Sequence, residues 1–352
     1  MESLRFLSLF SGAGIAEMGF KHTAHKVVLA NELLKLRCDV HSRWHPKVDI
    51  VAGDITHTTV KEEIIHKSKQ LKVNAIIATP PCQGFSLVGK NKNKGQMLSD
   101  ERNHLIFSLF DIIDDINPNV VIIENVPRFL KFEIDDKNIT DVIREKYGKK
   151  YIISVNVLNA KDYKVPQSRE RAIIVMTKSP WEWRLPRKHK EITVRQAIGS
   201  LPSLESGENS TLKNHKSRVH TKKHVLWMKH TATGCSAIQN KKYYPVKDNG
   251  ERIKSFGACY KRIEWDKPSP TITMRNDCIS SQSNVHPGRK LPNGCYSDAR
   301  VLTIRELLIL MSIDPDLTIP DFCSDIQIRG IVGEAVPPKL IYSILKGLHE
   351  KN

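Results

Sequence analysis

No Cys-x-x-Cys pair occurs among the seven cysteines, which stand singly at 38, 82, 235, 259, 278, 295 and 323. That scatter disfavours zinc ribbons and disulfide frameworks, and a reducing, cytoplasmic setting is expected. No apolar run nears the ~18 residues that would cross a bilayer. The opening Leu4–Phe10 stretch is short, is interrupted by Arg5 and lacks the flanks of a secretory signal, so membrane and export roles are not expected. Neither GxGxxG nor GxxxxGKS/T is present, which argues against a pyrophosphate cofactor such as NAD and against an NTP. Internal repeats and low-complexity tracts are also missing. Acidic residues are in short supply, 38 Asp and Glu against 55 Lys and Arg, leaving a net charge of +17. A polyanionic partner fits that balance, with nucleic acid the commonest.

What is present is a globular composition. The 352 residues are 40% hydrophobic and 26% charged, enough for two or three domains with a real core. The positive charge is concentrated. Residues 184–260 hold 16 Lys/Arg against 5 Asp/Glu, in a stretch rich in turn formers. Trp227, Tyr243, Tyr244, Phe256 and Tyr260 are interleaved there with the lysines, which reads as a nucleic-acid-binding surface. His215, His220, His224 and His230 lie in the same stretch and read as surface or DNA-facing groups rather than metal ligands.

The first 176 residues differ. Short β-branched runs recur at 4–9, 26–30, 48–52, 73–78, 120–124, 152–158 and 172–176, each bounded by turn signals. Between them Leu105, Leu109, Ile112, Ile113 and Ile116 follow helical spacing. This alternation predicts an α/β fold with a mostly parallel, doubly wound sheet, whose functional residues gather at the carboxyl ends of its strands. Towards the end, Ile304, Leu307, Leu308 and Met311 mark one helix, and Pro337 sets the start of another.

Several strand ends carry chemistry. Phe10-Ser11-Gly12-Ala13-Gly14 follows the first strand, and its glycines would let backbone approach a ligand. Glu17 stands where a third glycine would be. Glu32, 18 residues past Gly14, is placed to bind a ribose diol, and Asp54 follows the third strand, where it could accept from an adenine amino group. A nucleoside-bearing cofactor without pyrophosphate is expected. Cys82 follows Pro80 and Pro81 at the fourth strand end, stiffly held as a nucleophile would be. Glu124 ends the fifth strand, a costly place for an acid without a role or partner. Arg169 and Arg171, two apart, are expected on one face of an extended segment, and either could simply pair with Glu124.

Taken in order, these segments resemble the DNA (cytosine-5)-methyltransferase family. The resemblance runs through Phe10–Gly14, Glu32, Gly53-Asp54-Ile55, Pro80–Ser86, Glu124-Asn125-Val126-Pro127, Gln167–Arg171, Pro270–Thr273, Leu302–Glu306 and Gly333–Pro338. It implies an S-adenosylmethionine-dependent methyltransferase fold with a smaller target-recognition domain. The expected division is a catalytic domain at 1–180, a basic recognition domain at 181–275, and a return segment at 276–352. Phe10, Gly12, Gly14, Ile15, Glu32, Asp54, Ile55, Pro80 and Val336 are then implied at the cofactor, although Glu334 departs from the asparagine often found in its motif. Cys82 becomes the nucleophile for cytosine C6, Glu124 the group at N3, and Arg171 the donor to O2 with Arg169 in support. Gln83, Ser86, Lys90 and Lys92 are implied at the DNA. The expected partners are double-stranded DNA and a restriction endonuclease acting independently; the chain is expected to be monomeric. A transfer-RNA methyltransferase and a non-catalytic DNA-binding relative are the alternatives, but that RNA branch's Cys-Phe-Thr segment is missing, and the catalytic residues of an active enzyme are present.

Overall fold

A computed structural model describes residues 3–81, 104–134, 136–254 and 257–351. The chain forms two compact units, one of Met1–Asn159, Glu170–Lys188 and Leu340–Asn352, the other of Ala160–Arg169 and His189–Lys339.

In the first unit strands β1 (Arg5–Leu9), β2 (Lys26–Glu32), β3 (Asp49–Ala52), β4 (Ala75–Ala78) and β5 (Val120–Asn125) run parallel. Helices α1 (Lys35–Trp44), α2 (Thr58–Gln70) and α3 (His104–Ile116) alternate with them. A small hairpin of β6 (Glu133–Ile134) and β7 (Lys137–Asn138) leads to α4 (Ile139–Tyr147). Next come β8 (Ile152–Asn159) and β9 (Glu170–Thr177), which pair antiparallel with each other, as a connection of ten residues dictates. Strand β9 also pairs antiparallel with β5. The sheet order is β3-β2-β1-β4-β5-β9-β8. The order reverses between β1 and β4, the switch point where open α/β sheets bind ligands.

Both faces of this sheet are covered. Leu7, Leu9, Ile76, Ala78, Val121, Ile123, Ile174 and Met176 point to one face, packed with Ile64 of α2, Ile106, Leu109, Ile112 and Ile113 of α3, and Ile143 of α4. On the alternate face Phe6, Ile77, Ile122 and Ile173 are equally buried, and Phe6 meets Phe20 edge-on at 5.1 Å. Continuous apolar strands are what two covered faces require. The unit closes with β10 (Trp181–Trp183), paired antiparallel with the terminal β11 (Leu348–Glu350).

The second unit is poor in regular structure. It contains α5 (Val194–Ile198), α6 (Lys222–Lys229), α7 (Ile304–Leu310) and α8 (Asp325–Glu334); α9 (Pro338–Lys346) leaves it for the first unit. Thr303 caps α7 and Ser324 caps α8, each in a reciprocal box with Glu306 or Gln327. The expected functional division at 181–275 and 276–352 is not the division by compactness, because residues 276–339 cluster with 189–275 and only 340–352 join the sheet unit.

Candidate functional site

The carboxyl end of β1 turns sharply. Phe10, Gly12 and Gly14 all have positive φ, at 57°, 56° and 80°, and Phe10 has no glycine's freedom to do so. Neighbouring strand ends hold the turn. The Ser11 N–H donates to the Asn31 carbonyl at 3.0 Å. The Thr79 hydroxyl donates to the Phe10 carbonyl at 2.9 Å. The Gly12 N–H donates to Glu32 Oε2 at 2.9 Å, while the Leu34 N–H donates to Oε1 at 2.9 Å. Each carboxylate oxygen of Glu32 has two acceptor sites, so both keep capacity for a hydroxyl pair.

At the end of β3, Asp54 Oδ1 accepts from the Thr56 N–H at 2.9 Å and the Thr56 hydroxyl at 2.8 Å. This local turn fixes the carboxylate of Asp54. Ile15 and Ile55, each 2% exposed, pack beneath these loops. The Asn31 amide donates to the Val51 and Gly53 carbonyls at 2.9 and 3.1 Å, joining β2 to the β3 turn. Glycine backbone, a buried acid and a second acid thus occupy three adjacent strand ends. That donor and acceptor set fits a nucleoside carrying a free diol.

The ends of β4 and β5 form the other half. Pro80 is buried, and its carbonyl accepts from Asn125 Nδ2 at 3.0 Å. Asn125 was legible only as part of a motif; its role in holding the segment ahead of Cys82 needed the parallel pairing of β4 with β5. Cys82, Gln83, Ser86, Lys90 and Lys92 lie outside the described residues. Glu124 is 5% exposed, and Arg171 Nε lies 2.7 Å from its Oε1. Antiparallel register between β5 and β9 sets Asn125 opposite Ala172, which brings Arg171 alongside the acid. The pairing open in the sequence is therefore made by Arg171.

Arg169 behaves differently from its neighbour. It stands just before β9 and is 3% exposed. Its guanidinium donates to the carbonyls of Ile272 at 2.8 Å, Gly333 at 3.3 Å and Glu334 at 3.1 Å, all in the second unit. The two arginines thus serve different partners, Arg169 standing one residue ahead of β9 among backbone carbonyls and Arg171 within β9 at Glu124. Val336 is 5% exposed in the second unit, two residues beyond α8.

The basic stretch also needs correcting. Trp227 and Tyr260, 6% and 8% exposed, meet edge-on in a core with Met228, Ile279, Val285 and Val301. Their large apolar area outweighs any use as a stacking surface. His215 is buried too, its ring nitrogens 3.0 Å from the Thr303 hydroxyl and the Pro202 carbonyl. Nearer the surface, His230 stacks on Tyr243 at 4.0 Å, and Arg252 lies over Tyr244 at 4.1 Å. Phe256 is outside the described residues.

Beneath this core runs an ionic network that the sequence did not reveal. Arg300, fully buried, bridges Asp298 at 2.9 Å and Glu306 at 2.8 Å. Buried Arg262 donates to the carbonyls of Met228, His286 and Ser297. Burial pushes His286 down to about 3, while Glu306, despite its burial, is held at about 2, chiefly by Arg300.

Comparison with known proteins bears on the whole chain. A family model described as C-5 cytosine-specific DNA methylase matches residues 4–350. The Type II methyltransferase M1.HgaI of Avibacterium volantium is 45% identical over 350 residues, covering 98% of each chain. M1.HphI of Haemophilus parahaemolyticus is 29% identical, covering 99% of this chain and 88% of its own. Among solved structures, a prophage-encoded DNA modification methyltransferase of E. coli superposes with a TM-score of 0.71 at 18% identity, covering 98% of both chains. Spodoptera frugiperda DNMT2 follows at 0.63 and 17%, covering 97% of this chain and 98% of its own, and these two bear on the fold alone.

Proposed function

The chain belongs to the C-5 cytosine-specific DNA methylase family, and from that membership we propose that it methylates C5 of a flipped-out cytosine in a specific duplex sequence, with S-adenosylmethionine as donor. The observation that carries the reading is the Glu124–Arg171 pair, 2.7 Å apart at the ends of adjacent strands. A carboxyl beside a guanidinium complements the N3 and O2 edge of cytosine. In the free chain the two groups bind each other, and an incoming base divides them.

Cytosine C5 is a poor nucleophile. Addition of the Cys82 thiolate to C6 makes C5 enamine-like. The charge that enters the ring is met at N3 by a proton from Glu124, which requires that carboxyl to be protonated once the base is bound, and at O2 by Arg171. Attack of C5 on the methyl group releases S-adenosylhomocysteine; loss of the C5 proton to water then expels the thiolate, and the N3 proton returns to Glu124. When bound, S-adenosylmethionine supplies an electrophilic methyl group on a sulfonium. Glu32 would take its ribose hydroxyls and Asp54 its adenine amino group. The Gly12 and Gly14 turn with Phe10, Ile15, Ile55 and Pro80 would shape the pocket, and Val336 is assigned to the cofactor on the family resemblance alone. Arg169 acts as a positioning residue within the second unit, holding the carbonyls of Ile272, Gly333 and Glu334 together.

A thiol cannot reach C6 in stacked duplex, so the base must leave the helix at a cost of a few kcal/mol. Gln83, Ser86, Lys90 and Lys92 are proposed to contact DNA on the Cys82 side, and the basic stretch at 181–275 to read the sequence, with 276–352 completing the catalytic part. The kinship with Type II methyltransferases fits a monomeric modification enzyme of the cytoplasm, working beside an independent restriction endonuclease.

Bisulfite sequencing of plasmid DNA from cells expressing the chain tests the reading. Methylated cytosine at one recurring sequence is expected. Unmodified plasmid, with transfer RNA methylated instead in a parallel assay, would overturn it.

A further inference from the structure

We propose that His45, backed by His41 and Glu17, is a positioning residue that clamps the cofactor turn from beneath by donating a hydrogen bond to the Gly14 carbonyl. The inference rests on the reading of that turn as the S-adenosylmethionine site. Its residues are drawn from three places in the sequence. Glu17 opens the short 3-10 helix Ala16–Phe20 after the turn. His41 sits in the last turn of α1, and His45 caps its C-terminus.

His45 Nε2 lies 2.8 Å from the Gly14 carbonyl oxygen. A carbonyl only accepts, so this nitrogen carries the proton. His41 Nε2 lies 2.8 Å from Glu17 Oε2, with both side chains essentially removed from solvent. The two imidazoles stand 5.0 Å apart, centroid to centroid. They press so closely on the turn that a Cβ at Gly14 would come within 2.5 Å of His45 and 2.8 Å of His41. A dinucleotide-type turn uses a third glycine to let the helix approach. Here Glu17 fills that place and is spent on the histidine beneath.

The arrangement closes a circuit. At its N-terminal end α1 is tied to Glu32, which accepts from the Leu34 N–H and from the Gly12 N–H. At its C-terminal end the same helix holds Gly14 through His45. Gly12 and Gly14 are therefore fixed from opposite ends of one rigid element. Within this turn of three positive φ values the Gly14 N–H donates to the Ser11 carbonyl at 3.1 Å, and the clamps on Gly12 and Gly14 add to that internal backbone bond. Burial, the Glu17 charge notwithstanding, pushes His45 below the usual histidine range, so near neutral pH it is an uncharged donor.

The test compares full-length wild type with His45→Phe, which keeps the ring but not the donor, and His45→Gln, whose amide nitrogen can replace Nε2. Affinity for S-adenosylhomocysteine is measured by calorimetry, with duplex DNA affinity and unliganded melting temperature alongside. The Phe variant is expected to bind S-adenosylhomocysteine about five- to tenfold more weakly, the scale of one lost hydrogen bond. The Gln variant should recover most of that loss, and KM for the donor should rise more than kcat falls. Should the Phe variant not fold, His45→Ala replaces it in the same comparison. Wild-type affinity in the Phe variant, or equal weakening in Phe and Gln variants, would overturn the clamp. Failure of wild type itself to bind S-adenosylhomocysteine would instead overturn the cofactor reading.

Discussion

Single side chains decide the chemistry proposed for this enzyme, and they divide cleanly by substrate. Cys82→Ala should reduce methyl transfer to background while duplex affinity stays within about threefold, because the thiolate makes a bond and few contacts. Labelled methyl transfer at the wild-type rate would refute this. Glu32→Ala removes the ribose acceptor and the partner of the Gly12 and Leu34 amides together. KM for S-adenosylmethionine should rise at least about tenfold with little change in that for DNA. Equal effects on both would count against the assignment. Glu124→Gln keeps the shape but cannot deliver a proton to N3, and a loss of about 10²–10⁴ in single-turnover rate is expected.

At the scale of elements, the sheet order brings these groups together. Parallel pairing aligns the ends of β1, β2 and β3, so Gly12, Glu32 and Asp54 meet although 42 residues separate the first from the last. The antiparallel β5–β9 pairing then fetches Arg171 across to Glu124. The glycine turn tolerates little. Gly14→Ala would place a Cβ within 2.5 Å of His45 at a φ of 80°, so a lower melting temperature and no thermal shift with S-adenosylhomocysteine are expected. A variant that still shifts like wild type would mean that the turn is looser than its contacts imply. The strand runs at 4–9, 26–30 and 120–124 were legible because most of their residues are buried between two covered faces, which makes the runs mainly apolar, with Arg5, Ser8, Lys26 and Glu124 the exceptions.

For the molecule as a whole, stability in the second unit depends on buried charge as well as apolar packing. Arg300→Met would leave Asp298 and Glu306 facing each other without their bridge, a loss of about 3–5 kcal/mol by denaturant unfolding. An unchanged midpoint would show that water reaches the site. Acid should weaken the same unit. Burial first of all holds His220 at about 4 and His286 at about 3, below the value near 6.5 of an unfolded chain. The unfolded state therefore binds more protons between those values, and this contribution, full above about pH 6.5, is lost as pH falls towards 3. Glu306, held at about 2, adds a loss of the same sign below about pH 4.5. The melting temperature should drop from pH 7 to pH 5, with proton uptake on unfolding. A flat profile would contradict the burial of these histidines.

Local pattern alone was enough to fix the strand positions, the apolar face of α7, the start of α9 near Pro337, and the acids and glycines at strand ends, since periodicity and turn chemistry act over a few residues. The tertiary structure alone decided which arginine pairs with Glu124, which aromatics of the basic stretch become core, and that Glu17, His41 and His45 converge beneath Gly14. Those outcomes depend on strand order and on which groups lose water together, and neither quantity exists until distant segments have packed.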